Sequence, residues 1–179
     1  PLRLVGSEMC IRDSLAGEVQ WIRKMIDSHH EKAKANGTKI VNSCGFDSIP
    51  SDLGVYFIQK KTMEIFKQRA KHIKMRVAGV KGGISGGTYA SLSNVNKEAF
   101  NDKEIFKVVI NPYGLNPLGG PKGLDKYDLR KIIFDKASKS WIGPFVMAAI
   151  NTKIVRRSNA LSGYLYGKDF MYDLSLIHI

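Results

Sequence analysis

Between positions 18 and 35 apolar residues recur every three or four places (Val19, Trp21, Ile22, Met25, Ile26, Ala33), with lysines and His30 on the other side. That spacing predicts an amphipathic helix. Asn36-Gly37 predicts its end, because glycine accepts the left-handed conformation after a last turn. A β-branched strand is expected over 39–43. Helix before strand is the order of a βαβ crossover, so these elements read as the closing unit of a Rossmann-type sheet. A second helix is expected to start near Pro50, with Ser48 as its N-cap. Leu53, Val55, Phe57, Ile58, Met63, Ile65 and Phe66 make it apolar on more than one side.

Residues 72–81 alternate through Ile73, Met75 and Val77, which predicts a strand with one buried face. After the glycine-dense stretch 82–87, Thr88 can cap a helix running to about 100. Asn101 or Asp102 then restarts a short helix through Ile105, Phe106 and Val109. Asn111-Pro112 and Asn116-Pro117 halt it, because proline disfavours helix in the residue before it. A loop is predicted over 115–123, a hairpin from 131–135 and 141–145 around a turn at 136–139, and a helix over 145–157. The longest apolar run, near 145–150, is far below the ~20 residues of a membrane span.

Composition narrows the class. Hydrophobic residues at 44% suffice for a core, and 25% charged residues suit a globular chain. The net charge of +12 is high. A basic surface attracts phosphates, anionic lipid headgroups or nucleic acid, although solvated lysines are the plainer explanation. Lys60, Lys61, Lys67, Arg69, Lys71 and Lys74 form a basic series that can face a membrane. No aromatic residues interleave with it in the manner of an RNA reader, so nucleic acid is not an expected partner.

Candidate chemistry lies first in the run 44–52, CGFDSIPSD. Gly45 lets backbone approach a ligand closely, and the following helix start offers unpaired N–H groups to anionic or carbonyl oxygens. Asp47, Ser48, Ser51 and Asp52 can hold an amide or hydroxyl. Capping by Ser48 and a charge–dipole effect of Asp52, about 1 kcal/mol each, explain those two residues equally well. Cys44 reads as a small buried filler rather than a nucleophile. The run 82–88 lacks the G-x-G-x-x-G order and the Lys-[Ser/Thr] pair of phosphate cradles. Phe145, Val146, Met147 and Ile150 can line an acyl channel, with core packing as the blander alternative. Arg156-Arg157 can grip a phosphate or serve the helix dipole. Cysteines and histidines show no metal-ligand spacing and no catalytic dyad, so no metal is expected.

Particular words in the chain carry more than these patterns. CGFDSIPSDLG, preceded by GEVQWIRKMIDSHHEKA and followed in order by GGISGGTYAS, NPYGLNP, PFVMAAINTKIVRRSNAL and YGKDF, resembles the saccharopine dehydrogenase-like oxidoreductases, the group that includes the bacterial trans-acting enoyl reductases. The resemblance covers roughly 15–173. Residues 1–14, by contrast, resemble the peptide read from a translated sequencing adaptor, and 174–179 have the same look. Both ends are therefore expected to be non-native. The glycine-rich nucleotide-binding turn with which such proteins normally start has no counterpart upstream of Trp21, so the chain is expected to be an internal fragment.

The resemblance implies an α/β fold: a partial Rossmann-type unit lacking its N-terminal half (15–70), followed by part of an α+β second domain on the substrate side (71–173). It implies NADP or NAD as cofactor, with Cys44, Gly45, Phe46, Asp47 and Ser48 beside the nicotinamide. It also implies that Gly86, Gly87 and Thr88 face the substrate cleft, where their amides can polarise a carbonyl, joined there by Phe145 and Met147. The expected function is that of an enoyl reductase-like enzyme acting on lipid or polyketide-type acyl substrates, with no single residue marked as the catalytic acid. The fragment alone is expected to be inactive. The alternative is a non-catalytic lipid-surface or scaffold protein of the same fold. A cytoplasmic setting is expected; peripheral membrane contact and a homodimer stay open.

Overall fold

The computed structural model describes residues 11–45, 48–79 and 86–177. In chain order the elements are β1 (Ile11–Asp13), α1 (Val19–Ala35), β2 (Lys39–Val41), α2 (Ser48–Phe66), β3 (His72–Val77), α3 (Gly86–Asn101), α4 (Lys103–Ile110), β4 (Ile133–Asp135), β5 (Ser140–Gly143), α5 (Ala148–Leu161) and β6 (Met171–Ile177). The class is α/β, as expected. β1 and β2 form a small parallel pair joined through α1, in the register Ile11 to Lys39. The main sheet is mixed, in the order β3-β6-β5-β4. β3 and β6 run parallel, while β6 with β5 and β5 with β4 run antiparallel.

Most elements form where local chemistry predicts them. α1 ends at Asn36, and Gly37 takes φ +66°. Asp102 caps α4, its carboxylate accepting from the backbone N–H of Glu104 at 2.7 Å and of Ile105 at 3.3 Å. The hairpin pairs Phe134 with Trp141, whose rings meet edge to face at 5.6 Å. Several boundaries differ from the reading of the sequence, three of them beside candidate residues. The strand expected over 39–43 is confined to Lys39–Val41. α3 starts at Gly86, which puts Thr88 inside its first turn rather than at the cap. α5 starts at Ala148, after a turn. β6 was not foreseen: it takes in residues 174–177, and Leu174 and Ser175 are buried within it.

Two apolar clusters share one helix. Val55, Ile73, Val155, Phe170, Tyr172 and Leu174 pack between α2, α5 and the β3–β6 pair. Val19, Ile22, Leu115 and Ile150 pack where α1 meets α5 and the loop after α4. α5 thus gives Val155 to one cluster and Ile150 to the other, and is buried on most of its circumference. Polar side chains on such a helix must find partners inside the protein. That requirement shapes the site.

The sheet face away from the first cluster is polar. Pairing in register puts Lys74, Arg76, Asp173 and Asp135 on that face. Lys74 reaches Asp135 at 3.2 Å and Arg76 at 3.3 Å, while Asp173 takes Arg76 and, at 2.7 Å, His72. Burial opposes the charge on Asp135, but hydrogen bonds from Lys74, Ser138, the Ala137 N–H and Arg76 outweigh it, so the carboxyl stays well below its usual range.

Candidate functional site

The start of α2 is tied to α5 by two side-chain hydrogen bonds. Ser48 Oγ donates to Asn151 Oδ1 at 2.8 Å, with both residues buried. One turn on, Asp52 Oδ2 accepts from Ser158 Oγ at 2.8 Å. Between these bonds Val55 packs into the first cluster, and Ser51 Oγ and Tyr172 Oη both point to the Met75 sulfur, at 3.5 and 3.3 Å. The hydroxyl of Ser48 is therefore a strut between helices and not the cap that its position suggested. The bond it makes requires α5 at close quarters, a pairing that no local pattern announces.

Asp52 stands out electrostatically. Burial pushes its carboxyl up, only partly countered by the Ser158 hydroxyl, and Oδ1 is buried with no partner. Tyr166 and Tyr172 are pushed up to about 12, first by burial, with Asp52 adding repulsion in both cases. Removing Ser158 by Ser158→Ala should strip Asp52 of its one side-chain donor and cost about 2 kcal/mol, roughly twice the ~1 kcal/mol expected for Ser48→Ala. Urea unfolding of both variants measures the difference.

Farther along α5, Arg156 is 4% exposed and fully engaged. Its Nε donates to Asp125 at 2.6 Å, Nη1 to Thr152 Oγ1 and the Pro112 carbonyl, and Nη2 to the Tyr172 carbonyl at 3.1 Å. Asp128 stands 3.8 Å away. Asp125 also accepts from the Tyr172 N–H, and its own N–H donates to Tyr113 Oη at 3.0 Å. A side chain at Gly123 would run into the Tyr113 ring, so that close approach requires glycine. Lys153, 3% exposed, donates to the Ala149 carbonyl at 3.0 Å. Burial lowers its amine to about 8, with Asp128 pulling up and Arg156 pushing down. Arg157 donates to the Leu115 carbonyl at 2.5 Å. Arg156 is thus committed inside the protein, and both arginines bind loop backbone to α5.

The other predicted residues fall out as follows. Cys44 and Gly45 lie in the turn before α2, half-buried, with the Gly45 carbonyl accepting from Ile49 N at 3.1 Å. Phe46 and Asp47 lie outside the described residues, as do 80–85. Gly86, Gly87 and Thr88 form the first turn of α3. Phe145 packs on the first cluster and Met147 on the second, so both serve the core. A cleft of about 370 Å³ lies between α1 and α4, bounded by Gln20, Arg23, Asp27, Glu104, Ile105 and Val108. Arg23 Nε grips Asp27 there at 2.9 and 3.0 Å, which holds that carboxyl below its usual range. A second, much smaller cavity adjoins Tyr113, Arg156 and Tyr164. Cys44, Gly45 and Ser48 line neither.

With this arrangement in place, comparison with known proteins is informative. Over 166 residues, 89% of the chain, a Mycobacterium tuberculosis protein provisionally named trans-acting enoyl reductase is 39% identical. A second protein of that species, named trans-acting enoyl reductase, is 36% identical over the same span, and one from Mycobacterium leprae is 35% identical. These relatives all carry the name trans-acting enoyl reductase. The chain spans about two-fifths of the length of these relatives, 39% of the first and 40% of the others. No family model and no solved structure matches.

What sequence reasoning missed is the buried polar set of α5 and its partners: Asn151, Lys153, Asp125 and Asp128. One signal was present. Asn151, Thr152, Lys153, Arg156 and Asn159 place polar groups around a helix that contains no acid, and an acid-bearing loop, GLDKYD at 123–128, lies within reach in sequence.

Proposed function

We propose that the chain forms about two-fifths of an NAD(P)-dependent enoyl reductase, of the saccharopine dehydrogenase-like kind, acting on lipid or polyketide-type acyl substrates. The observation that carries this reading is 39% identity, sustained over 89% of the chain, to a protein named for that activity. A nicotinamide would supply the hydride, the protein supplying binding and orientation. The residues present suit such a group in one respect: the turn at Cys44 and Gly45 offers backbone rather than bulky side chains, and Ser48 and Asp52 fix the following helix to α5. The Ser48 hydroxyl itself is committed to Asn151, so its part is to hold the turn still. The relatives' names favour catalysis over the scaffold reading.

The test is fluorescence titration with NADPH and with NADH, on a chain extended to the relatives' length. Binding of one nicotinamide, and its oxidation only when an enoyl thioester is added, is the expected result. Failure to bind either defeats the reading.

A further inference from the structure

α2 turns one side to the protein and leaves the other uncovered. Ser51, Val55 and Gln59 are buried on the inner side, where the helix packs on α5. On the outer side Leu53 is 59% exposed and Phe57 58%; Ile65, 67% exposed, and Phe66, 66%, carry the apolar surface round the last turn. Ile49, Tyr56 and Met63 are exposed with them. Apolar exposure of this extent on one helix marks a surface that meets something else.

Charge says what that something is. The only acid on the outer side of α2 is Glu64, and Lys61 holds it at 2.7 Å. The same Lys61 stands 6.0 Å over the Phe57 ring, so the cation lies along the apolar band. Exposed Lys60 follows, and past the helix end come Lys67, Arg69 and Lys71, all exposed. Apolar side chains flanked by exposed cations are the combination that seats a helix in the headgroup layer of an anionic membrane. A second copy of this chain fits poorly, because each copy would bring the same lysines to the contact and carries a net charge of +12. Among the described residues no helix is long and apolar enough to cross a membrane, so contact would be peripheral.

We propose that the outer face of α2 is a docking surface for an anionic phospholipid bilayer, with Leu53 and Phe57 entering the apolar boundary and Lys60, Lys61 and Lys67 facing the headgroups.

Co-sedimentation of the chain extended to the relatives' length, so that the rest of the protein competes for this face, with two kinds of vesicle tests this. One kind is pure phosphatidylcholine; the other contains about one-third phosphatidylglycerol, enough to give a negative surface. At low salt the bound fraction should be at least about tenfold higher on the anionic vesicles and should fall as salt is raised. Leu53→Glu with Phe57→Glu should abolish binding, and Lys60→Glu with Lys61→Glu should lower it about tenfold on anionic vesicles only. These side chains are exposed, so circular dichroism of the variants should match the parent. Equal binding to both vesicle types, or unchanged binding by either variant, overturns the proposal. So does a parent that is dimeric in size-exclusion chromatography, fails to sediment, and becomes monomeric in the Leu53→Glu, Phe57→Glu variant. Nicotinamide titration reads the enzymatic proposal separately, so the two can fail independently.

Discussion

Replacing Arg156 with methionine should cost about 3–5 kcal/mol, the largest loss expected of any single substitution here. The guanidinium is buried and satisfies Asp125, the Pro112 carbonyl of the loop after α4, the Tyr172 carbonyl of β6, and Thr152 at once. Methionine matches much of its volume and none of its donors, so Asp125 would keep its charge in a dry place without a counterion. Stabilities of small domains are about 5–15 kcal/mol, so such a loss consumes much of the total. Urea unfolding followed by circular dichroism measures it. Adding Asp125→Leu should recover a good part, because removing both charges is far less damaging than removing one. A loss below about 1 kcal/mol for Arg156→Met would mean that the network is solvated and energetically idle.

Lys153→Met should act in the opposite direction. The amine is buried and lowered to about 8 in the folded protein, against about 10.4 in an unfolded chain. Between these values the unfolded chain binds a proton that the folded one lacks, so stability rises with pH across that window. Below about 8 the charge is held in place at a cost on the order of 3 kcal/mol. Methionine removes that cost, so the variant should be more stable at neutral pH by about 2 kcal/mol after Asp128 loses part of its counter-charge. Its stability should also vary less from pH 8 to 10. Tyr166 and Tyr172, pushed up to about 12, hold protons that an unfolded chain releases above about 10, so stability should fall beyond that point in both proteins. Guanidinium unfolding at several pH values gives both profiles. A parent that grows less stable from pH 8 to 10 would refute the assignment.

Helices and turns specified by their own residues were legible. The 3.6-residue period of α1, the Asn36-Gly37 stop, the Asp102 cap and the 136–139 turn each depend on neighbours in sequence. β6 depends on a partner far away: Met171 pairs with His72, so its short alternation through Tyr172 and Leu174 carried little weight alone. The same separation hid the site. Ser48 has every mark of a cap, and only Asn151, 103 positions later, diverts its hydroxyl. Arg156 and Arg157 look like surface cations near a helix end. Only the burial of α5 from both sides, a property of the whole arrangement, turns them into anchors for the loops at 112–125. Cofactor and acyl readings of the turn at 44–48 came from family likeness, since strand, glycine and helix start occur in that order in many proteins that bind nothing there.

Because Ile150 and Val155 belong to different apolar clusters on one helix, α5 joins the two clusters along its own length. Any ligand or membrane that shifts α2 pushes on Asn151 and Ser158, and through that rod on Leu115 and α1. A substitution that loosens α5 should therefore weaken both ends of the molecule together.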